Sequence, residues 1–286
     1  MYSAKLHHND AGFLALTDFS SDYLVTEITG LGPSSAHINT TDLARVDGSV
    51  LNSYKLNPRT IVITLYLTGD IEAARQQVYN YFRTKEPARF YFANGSRSAY
   101  IDGYVQGVEV DLFSMSEFMV LTLFCPDPYF QADETETVSL AFEPKRFYFP
   151  FAIDQDDPVE FSVYDEEQKV SVPNDSDTPA ELEIEAVIYA SIQNLTIRNL
   201  TTGEHIEIAY AFQPSDVLTI TTGRKKKSIK LTRNSSTWSL MGYLAAGSTF
   251  PVLAPGDNEM NYSADNGSAD GSVEVTVTYH RRYRGL

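Results

Sequence analysis

Carboxylates are the most numerous groups in this sequence that could do chemistry: 38 Asp and Glu stand against 22 Lys and Arg, a formal net charge of −16 over 286 residues. A glycosidase needs two carboxylates about 5 to 9 Å apart. Numbers alone supply such pairs, but no spacing singles one out, and solvated loops and strand faces account for them. There is no Gly-x-Ser-x-Gly elbow. Cys125 is alone, so neither an intrachain disulfide nor a cysteine zinc site can form. Gly30-Leu31-Gly32-Pro33-Ser34-Ser35 imitates part of a dinucleotide loop. Pro33 spoils the amide nest and no helix pattern follows, so the segment reads as a turn. His7 and His8, adjacent in an extended segment, point to opposite faces and have no further ligand at hand. Asp265-Asn266-Gly267-Ser268-Ala269-Asp270-Gly271 has oxygen donors but lacks the regular calcium-loop spacing and its closing Glu, and reads as a polar loop. No catalytic, cofactor-binding or metal-ligating residue is assigned, and the chain reads as a non-enzyme.

Two features could bind. Arg224-Lys225-Lys226-Lys227 lies between two alternating segments, 217–221 and 228–232, and so at the tip of a hairpin. Four cations there could grip an acidic neighbour, a phosphate polymer or a teichoic-type glycan; they could equally be a solvated turn that discourages strand pairing. Trp238, the single Trp, reads as core, with stacking on a sugar as the alternative.

The elements that must position these residues are mainly strands. Ile61, Ile63, Leu65 and Leu67 alternate with Val62, Thr64 and Tyr66; Phe118–Phe124 reads as a second strand, stopped by Pro126. Val273, Val275, Val277 and Tyr279 alternate with Glu274, Thr276 and Thr278, a strand with one buried and one wet face. One segment has helical spacing. Asp70 is a cap, and Ile71, Ala74, Val78, Tyr81 and Phe82 share a face. Thr84-Lys85 supplies a cationic end before Pro87, which predicts one helix over about 70–84, packed on a sheet. The polar face is not basic enough for a membrane helix.

Composition agrees: 43% hydrophobic and 21% charged residues describe a globular chain, and 18 Tyr with 16 Phe suit strands and contact surfaces. The acidic field disfavours a general nucleic-acid binder. No window approaches the roughly 20 apolar residues of a membrane crossing and the first residues carry no signal-peptide run, so the expectation is a soluble protein made in the cytoplasm. Without a secretory signal the Asn39, Asn194 and Asn199 sequons are chance matches. Two domains are expected, 1–132 and 133–286, divided after Cys125-Pro126-Asp127-Pro128-Tyr129-Phe130. The first carries 9 basic and 14 acidic residues, net −5; the remainder carries 22 − 9 = 13 and 38 − 14 = 24, net −11. The second half reads as an all-β sandwich with Asp- and Asn-rich turns such as Asp154–Pro158 and Pro173–Asp177.

Four motifs occur in an order that resembles the phage distal tail protein (Dit) family, the siphovirus-type tail components. The Cys125–Phe130 segment, with Pro126, Asp127, Pro128, Tyr129 and Phe130, resembles the family's domain end. The hairpin 217–222 followed by Ser228-Ile229 resembles its hairpin. Pro255, Gly256 and Asn258, within Phe250–Asn258, resemble its Pro-Gly-x-Asn turn. Arg281-Arg282-Tyr283-Arg284-Gly285-Leu286 resembles its Arg-Tyr-x-Gly-Leu ending, with Tyr283 and Gly285. The resemblance implies an N-terminal α+β domain related to tail-tube subunits, a β-sandwich or barrel plus the helix, and a galectin-like or carbohydrate-module-like β-sandwich after it. It also implies a hexameric ring, with a tail-tube protein above, a tail-associated hub or lysin protein below, and receptor-binding or adhesion proteins docked outside. DNA would only pass through the lumen, no membrane would be involved, and the place would be the virion tail tip, assembled in the host bacterial cytoplasm. The chain lacks the long insertion that some relatives carry as an extra carbohydrate-binding module. Gly256 and Gly285 are read as backbone necessities, and Asn258 as a turn hydrogen-bonder.

Overall fold

The computed structural model describes residues 2–18, 22–45, 47–111, 117–140, 169–224, 226–265 and 272–286. The turn expected at 154–158, Lys225 and the 266–271 part of the polar loop lie outside them. The chain divides into two compact units, Met1–Glu134 with Arg282–Leu286, and Thr135–Arg281. The last five residues, which the sequence reading assigned to the C-terminal domain, therefore belong with the first unit.

In the first unit the strands β1 (Ser3–His8), β2 (Gly12–Ala15), β7 (Pro87–Ala93) and β8 (Ser98–Val110) pair antiparallel in the order β2–β1–β7–β8. The long β8 also pairs with β9 (Phe118–Cys125), which continues through β6 (Arg59–Leu67) to β3 (Tyr23–Thr29). It meets the start of β10 (Phe130–Ser139) as well. The alternation read from the sequence is present in β6, where Ile61, Ile63, Leu65 and Leu67 are buried. In β9 the buried residues are Met119, Leu121, Leu123 and Cys125, while Phe118 and Phe124 face out.

The helix α1 (Ile71–Tyr81) packs on β1 and β6 and buries Ala74 and Val78, with Phe82 buried just beyond. Asp70 caps it, accepting from the Ala73 N–H at 3.1 Å. The helix stops short of the expected Thr84-Lys85 end. Lys85 takes a left-handed φ of 76° and gives its N–H to the Val105 carbonyl, a turn that feeds Pro87 into β7.

The second unit has two antiparallel sheets. One holds, in order, β17 (Ser236–Ser239), β16 (Ser228–Arg233), β15 (Val217–Thr221), β12 (Leu182–Ile188), β19 (Val273–Tyr283) and the end of β10. The other holds β11 (Val170–Asn174), β18 (Gly256–Ser263), β13 (Ile192–Asn199) and β14 (Glu204–Phe212). Alternate residues of both, among them Ile184, Val277, Ile197, Ile206 and Met260, make one core. Among the described residues no helix is long and apolar enough to cross a membrane.

Candidate functional site

Between β3 and β6 the chain makes a free-standing hairpin, β4 (Ala36–Asp42) with β5 (Ser49–Leu56). No residue of either strand is buried. Cross-strand pairs share a face, and here they sort by polarity. Ala36 opposes Leu56, Ile38 opposes Tyr54 and, past a bulge, Thr40 opposes Leu51. Ile38 is 60% exposed, Leu51 56% and Tyr54 77%. Asn39 donates to the Ser53 hydroxyl at 2.9 Å and Asn52 to that of Thr41 at 2.6 Å. An isolated two-stranded hairpin is marginal in water, and this one also leaves its apolar side uncovered. Nothing in the sequence reading pointed to it. The available signal was the alternation of Ala36, Ile38 and Thr40 with His37, Asn39 and Thr41.

The root of the hairpin is where two of the sequence motifs meet. Arg59, two residues after Asn57 and only 3% exposed, donates from Nε to the Pro128 carbonyl at 2.9 Å and from Nη2 to the Arg284 carbonyl at 2.7 Å. Its Nη1 reaches the carbonyls of Gly30 and Gly32. The guanidinium also lies 4.5 Å from the centre of the Phe130 ring. One buried cation thus ties the 126–130 segment, the Gly30–Gly32 turn and the C-terminal tail, with no carboxylate among these partners. Burial lowers its pKa from the ordinary arginine value, with Cys125 acting the other way. Burial pushes the Cys125 thiol up to about 12, which makes it an inert packing residue. Gly30 has φ 86°, and a Cβ there would lie 2.1 Å from the Thr60 carbonyl oxygen, so only glycine fits the turn.

The other family-motif residues form a second knot, in the second unit. Asn258 is fully buried: its Nδ2 donates to the Ala254 and Gly256 carbonyls at 2.8 and 3.0 Å, and its Oδ1 accepts the Ala254 N–H at 2.9 Å. Asn199 donates to Asn258 Oδ1 at 3.1 Å and to the Val252 carbonyl at 2.8 Å. Asn174 donates to the carbonyls of Leu253 and Ala254 at 2.9 and 3.1 Å. Pro255 and Gly256 (φ 94°) make the turn that these amides hold. Asn199, read from the sequence only as a chance sequon, and Asn174, read only as a turn residue, are buried members of this knot.

The candidate contact residues are not brought together. The strands flanking the basic tip pair as the alternation predicted. The Arg224 N–H donates to Glu181 Oε1 at 3.3 Å, and Lys227 Nζ lies 4.8 Å from the Phe250 ring centre. Trp238 pairs with Leu231, about 13 Å of strand from Lys227. The core reading of Trp238 is corrected: the residue is 36% exposed, because β17 is a short edge strand with no buried residue. The Arg233 guanidinium is 5.9 Å from it and is held in turn by the buried Asp216, through two bonds of 2.6 Å.

The two adjacent histidines do part ways, and His8 turns inward. Its Nδ1 accepts the Asp10 N–H at 3.3 Å, which puts the ring proton on Nε2, 2.7 Å from Glu86 Oε2. His8, Asp10 and Glu86 bring one ligand atom each within 4.8 Å of one another, and Arg83 lies 3.5 Å from Asp10 and 3.9 Å from Glu86. A metal on Nε2 would displace the Glu86 bond and leave Nδ1 facing a donor. The geometry is that of a hydrogen-bonded ion cluster rather than a metal centre.

Two family models match the chain: the phage tail protein RIFT-related domain over residues 19–125, and the siphovirus-type tail component, C-terminal domain, over residues 175–283. A search of curated proteins finds no match. Among solved structures the chain is similar to the crystal structure of SPP1 Dit, described as a paradigm of hub adsorption apparatus in Gram-positive infecting phages. That likeness has a TM-score of 0.68 at 14% identity and covers 99% of both chains. It is also similar to a chain of the phage P2 baseplate in its activated conformation with Ca, with a TM-score of 0.52 at 11% identity over 100% of both chains. At these identities the structural likeness is one of fold.

Proposed function

Because the chain belongs to the siphovirus-type tail components, we propose that it is the distal tail or baseplate hub protein of a long-tailed phage or tail-like particle. In this reading it is a non-catalytic part of the virion tail tip, assembled in the host cytoplasm. Residues 1–132 close a homohexameric ring that joins the tail tube to the tail-tip and adhesion proteins. Residues 135–281 form an outward, galectin-like or carbohydrate-module-like sandwich.

The observation that carries the reading is the uncovered apolar side of β4–β5. A second, partly exposed apolar row lies on the same unit: Leu24, Tyr66 and Phe118 are in register across β3, β6 and β9, with the Tyr66 and Phe118 rings 5.4 Å apart. Two different patches that pair with each other, rather than each with its own copy, make a heterologous contact, which closes into a ring when the rotation allows. The net −5 of residues 1–132 supports a lumen along which DNA slides without sticking; a basic lumen in an assembled ring overturns that part.

Light scattering on a sizing column with negative-stain imaging tests the reading. A ring with a central hole is expected, and Leu51→Ser with Tyr54→Ser is expected to give a folded monomer. A wild-type chain that stays monomeric both alone and with tail-tube protein overturns it. A second reading, an adhesin module for host cell-wall glycan, draws on the exposed Trp238; it predicts glycan-array binding that Trp238→Ala abolishes.

A further inference from the structure

The five residues that return to the first unit are held one after another. Arg282 Nη2 donates to Asp127 Oδ2 at 2.7 Å, and its guanidinium lies 4.7 Å from the Tyr129 ring centre. Tyr283 is buried in the unit's core, with the Arg97 guanidinium 4.3 Å from its ring centre. The Arg284 carbonyl accepts from Arg59, the Gly285 carbonyl accepts from Arg97 Nη1 at 3.1 Å, and the Leu286 N–H donates to the Leu31 carbonyl at 3.0 Å. Leu286 packs against the same core. A Cβ on Gly285 would stand 3.0 Å from the Leu31 oxygen, 3.1 Å from the Gly32 carbon and 3.2 Å from the Pro33 nitrogen, all backbone. Main-chain bonds give such a segment affinity, and side-chain pockets with a tight slot at Gly285 give it sequence specificity, as in bound extended peptides.

We infer that Gly30–Pro33, Arg59, Arg97 and Asp127 form a peptide-binding cradle that reads Arg-Tyr-x-Gly-Leu. Residues 282–286 fill it, and filling it fixes the root of the β4–β5 hairpin. The second half rests on position. The Gly30–Gly32 carbonyls precede the strand that enters the hairpin, and Arg59 opens the strand that follows its exit. Between them the base is closed by Asn57, whose N–H donates to the Ser35 carbonyl at 2.9 Å and whose Nδ2 donates to its hydroxyl at 3.0 Å. Emptying the cradle removes the Arg284 carbonyl from Arg59 and Leu286 from Leu31, and so loosens both sides of the root together. Residues 135–281 are made before the tail, so a growing chain presents a fixed hairpin only once its second unit exists. That consequence rests on the reading of the hairpin as the ring contact; the peptide site does not.

The test uses full-length Gly285→Val, with hydrogen exchange read on dissociated chains at low concentration. Amides of residues 31–35 and of β4–β5 are expected to exchange about tenfold faster or more, with β12 and β19 unchanged. An acetylated peptide of residues 282–286 is expected to restore protection, and the same peptide with Val at the glycine position is not. Unchanged exchange at the root overturns the inference, as does rescue by both peptides or by neither. Where Gly285→Val also loses protection in β12 and β19, Leu286→Ala, which weakens the tail and leaves the cradle intact, replaces it under the same criteria. Reading dissociated chains separates the two ideas. Absence of wild-type rings defeats the ring reading and leaves the exchange result standing, whereas an unaffected root defeats the cradle even where rings form.

Discussion

Each unit of this chain pins an irregular segment with buried polar side chains, but the two use opposite chemistry. In the first, one guanidinium reaches four carbonyls, one of them 225 residues downstream. In the second, three neutral amides hold Val252–Gly256. A guanidinium only donates, so it suits a place where several segments converge with their carbonyls. An amide both donates and accepts, so Asn258 can answer the N–H and the C=O of Ala254 as a neighbouring strand would. The first knot stitches segments that share no ladder; the second stands in for a missing rung. The first is also all-or-none, since its four acceptors lose one common partner.

That contrast orders the expected losses. Arg59→Met leaves several buried carbonyls without a donor, at about 1–3 kcal/mol for each left unsatisfied, and is expected to give the largest loss. Urea unfolding followed by hydrogen exchange should place the loss in the first unit. If Arg59→Lys, with fewer donors and no fork, recovers most of it, the number of carbonyls served is not what matters and the contrast fails. Asn258→Ala is expected to cost roughly 2–3 kcal/mol in the second unit. Asn258→Asp should be worse than Ala, because it turns the Nδ2 donor into an acceptor facing the Ala254 and Gly256 carbonyls. An Asp variant as stable as wild type would show that the amide is not acting as a rung. Asp127→Asn, which weakens the partly buried pair with Arg282, is expected to cost about 1 kcal/mol by the same measurement.

These knots also mark how far the sequence was legible. The strands around Ile61–Leu67 and Val273–Tyr279 follow from alternation, and the cap of the helix follows from Asp70, because both signals are local. The Asn258 turn was legible through glycine and asparagine chemistry. Arg59 was not, because its partners are carbonyls, which every residue carries, so neither spacing nor composition records the meeting. The β4–β5 hairpin escaped for a related reason: alternation tells of two faces but not of whether either is covered. The helix ended early because Lys85 is claimed by the Val105 carbonyl, a long-range bond that no local pattern anticipates. Trp238 was misassigned to the core because its edge position depends on where the sheet stops.

The smallest expected effect sharpens the contrast by pH. Beside its amide knot the second unit has, among the described residues, a charged pair with a fully buried carboxylate, Asp216 with Arg233. Burial pushes the Asp216 carboxyl up, while the Arg233 bonds, the Gln213 N–H and the Arg233 charge pull it down, and the pull prevails. The folded pKa therefore lies below the unfolded one, and the unfolded chain binds more protons in between. The stability this pair contributes is fully present above the ordinary Asp range and is lost as pH falls through the folded value. The three Asn amides of the second knot do not titrate there, although Glu204 Oε2 also accepts the Val252 N–H at 3.0 Å, and the Arg59 carbonyls bring no carboxylate to protonate. Acid titration followed by hydrogen exchange should then show β15 and β16 losing protection before residues 30–33 and 126–130. Asp216→Asn should flatten the acid limb in the second unit at the cost of a lower plateau near neutrality. Were the first unit to open first in acid, its knot would depend on a carboxylate, and the division between a charged and a neutral way of holding a turn would have to be redrawn.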